Sequence, residues 1–169
     1  MATAADVLLD AFSRVRETVH AVLDEVPEER LAEPPAPGAN TVAWLVWHLT
    51  RILDDHTAQA FGRDQVWTAN GWYDRFDLPF PPEAHGYGHT WRDVLAVQVG
   101  RDDLLGYHDA VQEVAASLLR ELADDELDRV VDADWDPPVT LGVRLVSVVN
   151  DTAQHAGQAA YAAGILGRA

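Results

Sequence analysis

Within NDTAQHAGQAAY, residues 150–161, Asp151 and His155 stand four positions apart. On an α-helix that spacing rotates one residue about 40° from the other, so a carboxylate and an imidazole project side by side. The face they share is apolar: Leu141, Leu145 and Val148 lead into the pair, and Ala159, Ala162 and Leu166 continue beyond it. A carboxylate on a core-facing stripe is costly unless it is paired or ligates a cation. The pair therefore reads either as a buried Asp–His hydrogen bond or as a bidentate metal clamp. His48, set between Leu45 and Ile52 on the seam of WLVWHL, supplies a third inward-facing group from another helix. A lone histidine on an apolar face is more often a hydrogen-bonded core residue. Two histidines and an aspartate on facing helices weight the balance toward a metal without closing the other reading. His48, Asp151 and His155 together would leave coordination positions open, as catalytic sites do. Two imidazoles and one carboxylate suit Zn²⁺, Ni²⁺ or Fe²⁺, and ligand type does not choose among them.

Other residues enter with a second reading beside the first. Gln158, one turn beyond His155, can orient that ring through a hydrogen bond, or can be a polar residue at a helix edge. Asp55, two turns after His48, can face the same cavity, although an aspartate in a run such as DDH is usually solvated. His108 reads as a packed histidine rather than a ligand. His85 and His89 share a metal-like spacing in AHGYGHT, but a glycine-containing loop gives that spacing little geometric content. Trp72, Tyr73 and Trp91 read as packing or lid residues, with a pocket wall over the metal as the functional alternative.

The elements that must position these groups are helical. Leu8, Phe12, Val15, Val19 and Val22 recur at steps of four and three, the period of one helix face, and Pro27 ends that segment. EPPAPGAN, residues 33–40, is a connector, after which Asn40 or Thr41 can cap a helix reaching to Gly62. From Arg63 to about Gly100, aromatic residues interleave with Pro and Gly. Long connections of this kind are uncommon and often functional. Thr90 can cap a short helix within it, TWRDVLAVQV. A third long helix is expected from about Arg101 to Leu122 on Leu104, Val111, Ala115, Leu118 and Leu122. After the turn-rich DADWDPP, a fourth runs from about Thr140 to Leu166. With no strand-like alternation and no repeat, the expectation is an all-α four-helix bundle, one domain over residues 1–169, with an aromatic-rich crossover between the second and third long helices.

Composition bounds the partners. The 28 acidic residues against 12 basic ones, all of them Arg, give a formal charge of −16. Such a surface repels phosphate backbones and anionic membranes, so no nucleic-acid or membrane partner is expected. The apolar runs fall short of the roughly 20 residues a membrane span needs. MATAADVLLDAF lacks the basic start and apolar block of a secretory signal, so a cytoplasmic location is expected. The absence of Cys removes thiolate ligands, disulfides and a protein sulfur nucleophile, leaving histidine and carboxylate as the strong metal ligands.

Taken together, DTAQHAGQAAY, AWLVWHL, GYGHT and LLGYHDAV resemble the DinB-like family, which includes mycothiol-dependent maleylpyruvate isomerases and bacterial thiol S-transferases. The resemblance covers nearly the whole chain and implies a bundle in up-down-down-up order, often dimeric. It also implies a metal held by one histidine of the second helix, here His48, and an acid-or-histidine–x–x–x–His pair, here Asp151 and His155. Many relatives carry His at the first position of that pair and the isomerases carry Glu, so the shorter Asp151 is a departure. By the same resemblance, the activity would be thiol transfer or isomerisation, in which a metal-bound thiolate from mycothiol or a similar small thiol attacks an electrophilic small molecule. Metal-dependent hydrolysis and a non-catalytic, stress-related metal-binding dimer are the alternatives.

Overall fold

The computed structural model describes residues 1–167. Thr3 opens α1 (Ala4–Glu25) with a reciprocal cap, its hydroxyl accepting from the Asp6 N–H while the Asp6 carboxylate accepts from the Thr3 N–H. Thr41, rather than Asn40, caps α2 (Val42–Phe61) by accepting from the Trp44 N–H, and Gly62 ends that helix at φ 62°. The connection beyond it contains α3 (Val66–Ala69), α4 (Trp72–Phe76) and α5 (Trp91–Ala96). Thr90 and Asp93 cap α5 reciprocally, as Thr3 and Asp6 cap α1. The helix ends at Ala96, short of the segment expected from sequence, and α3 and α4 are too short for any hydrophobic period to reveal them.

The third long helix is α6 (Arg101–Arg120), and the fourth is α7 (Leu141–Leu166), capped by Thr140. Between them the all-α bundle carries one small ribbon, in which β1 (Val130–Asp132) pairs antiparallel with β2 (Val139–Thr140) around the turn-rich segment 133–138. Strands of three and two residues cannot display an alternation.

Contacts at the helix ends fix the order of the bundle. The Ala4 N–H at the start of α1 donates to Asp124 just past α6, and Arg101 at the start of α6 donates to the Val26 carbonyl just past α1. Those two helices are therefore antiparallel. Arg30, shortly after α1, donates to the Leu166 carbonyl at the end of α7, so α1 and α7 run the same way. Arg129 donates to the Ala60 carbonyl at the end of α2 while its own carbonyl accepts from the Leu141 N–H at the start of α7. Hence α2 opposes α7, and the sequence of directions is up, down, down, up. Because α2 and α6 run parallel, their connection must travel back along the bundle, which accounts for its length.

The apolar stripes lie inside as their spacing requires. Phe12, Val15, Val19 and Val22 of α1 are buried, with Leu8 partly so. On α6 the buried residue is Leu119, whereas Leu118 is partly exposed, a one-residue correction to the expected seam.

A buried polar cluster holds the crossover against α2. Asp54 accepts from the N–H groups of Val66 (2.9 Å) and Trp67 (2.8 Å), which start α3, and from the Tyr107 hydroxyl of α6 at 2.9 Å. Arg51, fully buried, donates to Gln65 (2.9 Å), to the Ala84 carbonyl (3.1 Å) and to the Pro82 carbonyl (3.3 Å), with its guanidinium 5.0 Å over the Trp67 ring. Every charge here has a partner, which is the condition for burying it. The consequence for the site is positional: residues 82–84 are fixed one step ahead of His85 and Gly86.

Candidate metal centre

His48 lies on α2 one turn before Arg51, where the helix is apolar on nearly every side. Its imidazole is buried, and Trp44, four residues earlier, stacks on it with centroids 4.6 Å apart and planes 16° from parallel. The Nδ1–H of His48 donates to the His85 carbonyl. Gly86 packs on the same ring edge: a Cβ there would stand 2.5 Å from Nδ1, and its φ of 100° also favours glycine. The loop thus fixes both the orientation of the ring and its tautomer, leaving Nε2 with a free electron pair. Burial, the largest influence, lowers the pKa of His48 to about 4, so the ring is neutral near pH 7, as ligation requires.

From the opposing helix, His155 meets His48 edge-on with ring centroids 4.6 Å apart. His155 Nδ1 lies 3.0 Å from Gln158 Oε1. An amide oxygen only accepts, so Nδ1 carries a proton, and in the neutral ring Nε2 is the atom with the free electron pair. Nε2 stands 3.7 Å from Asp151 Oδ1, beyond hydrogen-bonding range, while Asp151 Oδ2 is buried without a partner. The buried Asp–His hydrogen bond that the sequence allowed is therefore not formed. One ligand atom each from His48, Asp151 and His155 lies within 4.8 Å of the others, and the three form a group able to bind a metal ion.

The remaining singled-out residues fall in several places. Gln158 touches His155, as described. Asp55 accepts from Gln65 Nε2 at 2.7 Å and thereby joins the crossover anchor. His108 is fully buried away from the triad. The Thr50 hydroxyl donates to the Val46 carbonyl, so His108 Nδ1–H donates to Thr50 at 2.9 Å, and Nε2 accepts from Gln112 at 3.4 Å. Burial brings its pKa down to about 3, and it is a neutral core histidine. Trp72 lies against Gly106 of α6 and beside Tyr107, and the Tyr73 hydroxyl donates to the Phe80 carbonyl at 3.2 Å. Trp91 is 48% exposed at the start of α5. The aromatic ring that does approach the triad is Trp44, held by an Nε1–H bond of 3.2 Å to His89 Nδ1. Its spacing of four from His48 could have revealed it in the sequence. His85 contributes its carbonyl and His89 supports Trp44, roles that side-chain spacing does not encode.

His56, also unremarked in the sequence, lies on α2 two turns beyond His48. Its Nδ1 accepts from Arg144 at 3.4 Å, and Arg144 pairs with Asp132 at 2.8 Å. Burial, then the Arg144 charge, lowers the His56 pKa.

The donor set fits a divalent cation. Ligands about 2.0–2.2 Å from a tetrahedral centre lie roughly 3.3 Å apart, close to the 3.7 Å between His155 Nε2 and Asp151 Oδ1. An antiparallel pair of bundle helices thus brings two imidazoles and a carboxylate together in a group that could hold a metal ion. The sequence pattern of the DinB superfamily matches residues 11–159, and the chain belongs to that superfamily. It is similar to a solved crystal structure of a conserved protein from Enterococcus faecalis, with 29% identity, coverage of 98% of each chain and a TM-score of 0.91. No functionally curated protein matches it. No helix among the described residues is long and apolar enough to cross a membrane.

Proposed function

We propose that the protein is a divalent-metal-dependent enzyme that uses a low-molecular-weight thiol of the mycothiol type to transfer sulfur to, or isomerise, a small electrophilic substrate. The observation that carries this reading is the convergence of His48, Asp151 and His155, with Asp151 and His155 3.7 Å apart and not hydrogen-bonded to each other. Facing electron pairs repel unless a cation lies among them. Three protein ligands leave room for an exogenous one. A divalent cation such as Zn²⁺, Ni²⁺ or Fe²⁺ would lower the pKa of a thiol so that thiolate is available near neutral pH.

The chain supplies the rest. It has no Cys, so the sulfur must arrive from outside. His85 and Gln158 hold the two imidazoles in the tautomers that ligate. Trp44 and the buried face of α2 exclude water from one side, while Asp151, with its side chain 37% exposed, leaves the other side accessible. Asp151 Oδ2, the buried and unpartnered carboxylate oxygen, can accept the thiol proton. In transfer the sulfur would bond to the electrophilic carbon as the leaving group departs with its electron pair; in isomerisation it would add to an activated double bond and be expelled again, which regenerates the thiol.

The test is optical titration of Co²⁺-loaded protein with mycothiol. A sulfur-to-cobalt charge-transfer band that saturates is expected, and it should vanish in His155→Ala together with stoichiometric metal. Thiol-independent ester cleavage without such a band would favour hydrolysis instead. Neither band nor turnover would leave a non-catalytic metal-binding bundle.

A further inference from the structure

The two helices that carry the triad touch again two turns away from it. His56 stands eight residues after His48, about 12 Å further along α2. Arg144 stands seven residues before Asp151, which returns it to within about 20° of the same face of α7. Its guanidinium donates from Nη1 to His56 Nδ1 at 3.4 Å and from Nη2 to Asp132 of β1 at 2.8 Å. A guanidinium only donates, so His56 Nδ1 is the acceptor. Burial foremost, then the Arg144 charge, lowers the His56 pKa against the opposing pull of Asp55 and Asp151. The ring is therefore neutral near pH 7, and its one proton lies on Nε2.

His56 thus reverses the pattern of the triad. His48 and His155 turn electron pairs inward, whereas His56 presents an N–H. Among the described residues none accepts from it, although the side chain is only 28% exposed. A donor whose tautomer is fixed by an arginine, itself fixed by a carboxylate, is preorganised for an oxygen arriving from outside. The charges nearby select the kind of oxygen. Arg144 is already paired with Asp132, and Asp55 lies 3.8 Å from His56, so a ligand carboxylate would meet no free cation here. A carbonyl oxygen needs only the donor.

We propose that His56 Nε2–H receives the carbonyl oxygen of an uncharged, carbonyl-activated electrophile whose reacting carbon lies at the triad, with Arg144 as the residue that positions the ring. The proposal rests on the thiol-dependent reading and gives it a substrate class, of which an enone is the simplest member. The thiolate sulfur bonds to the β-carbon, and the double-bond electron pair moves through the α-carbon onto the carbonyl oxygen, where the His56 N–H meets it. The proton given up by the thiol returns to the α-carbon as the carbonyl re-forms.

The experiment first uses metal-free protein and an inert probe, methyl ethyl ketone labelled with carbon-13 at its carbonyl. In wild type the carbonyl resonance should move downfield and saturate, as it does on accepting a hydrogen bond. His56→Phe should lose that shift, and His56→Gln, which keeps a side-chain N–H, should retain it. Arg144→Met should weaken binding of the probe about 10-fold, the worth of one well-placed hydrogen bond, and Arg144→Lys should restore part of it. Propionate, the same shape with a carboxylate, should displace the probe about 10-fold less well than unlabelled ketone does. With metal and mycothiol present, His56→Phe should lower kcat for addition to methyl vinyl ketone about 100-fold, while the thiol midpoint on Co²⁺-loaded protein stays unchanged. A carbonyl shift that survives in His56→Phe, or propionate that competes as well as the ketone, would overturn the proposal. The two readings fail separately. A carbonyl shift without any sulfur-to-cobalt band removes the thiol and leaves the carbonyl site, and a band without the shift does the reverse.

Discussion

Two polar clusters share the interior face of α2, and they are built on opposite principles. Around Arg51 and Asp54, each donor meets an acceptor: Asp54 takes two backbone N–H groups and the Tyr107 hydroxyl, and Arg51 spends its guanidinium on two carbonyls, Gln65 and Tyr107. One turn away, His48, Asp151 and His155 come together with no hydrogen bond between Asp151 and His155. The first cluster is complete within the chain and does structural work. The second leaves Asp151 Oδ2 buried with no hydrogen-bond partner among the described residues. Burial alone does not separate structure from function here; the balance of donors and acceptors does.

The contrast can be broken most severely at Arg51. Arg51→Met should destabilise the fold by about 3–5 kcal/mol, because Asp54 would stay buried without its charge partner. Urea denaturation of metal-free protein measures this. A loss below about 1 kcal/mol would show that the cluster does not depend on the pair.

Next in size is the acid response of His108, the complete cluster's counterpart in the core. Its folded-state pKa of about 3 lies below the ordinary value of 6.5, so the unfolded chain binds the proton first. Stability from this group is full above about pH 6.5 and declines as pH falls toward 3, by about 1.4 kcal/mol per unit. By pH 4 the loss is about 3 kcal/mol, and His108→Leu should remove that part of the slope. Parallel slopes in wild type and variant would mean that the imidazole is not held neutral.

The smallest effect is the sharpest. Asp151→Asn puts an amide donor opposite His155 Nε2 and should stabilise the metal-free protein by about 1 kcal/mol while weakening metal affinity. A net loss of stability would show that the two atoms are not facing electron pairs.

Much of this was legible in the sequence because helix periodicity is. Phe12, Val15 and Val19 announced α1, and Leu145, Val148, Asp151 and His155 announced both a helix and its polar interruption. His48, Asp151 and His155 could be named because all three sit on strongly periodic helices, where spacing is geometry. The aromatic connection could not be read that way. Trp72 and Tyr73 were candidates for a pocket wall, yet they pack along α6 and at Phe80, because a loop's path is set by anchors such as Arg51 that leave no period behind. The support given by the His85 carbonyl was invisible for the same reason: any residue type could provide it. Nothing in the local sequence singles out Arg51 and Asp54, whose partners lie from 12 to 56 residues away.

The return path imposed by parallel α2 and α6 carries one more implication. Gly86 lets a segment that donates no ligand press against the ring of one that does. The geometry of the candidate site could therefore drift through replacements in that strap alone, with the helices and the side chains of His48, Asp151 and His155 left untouched.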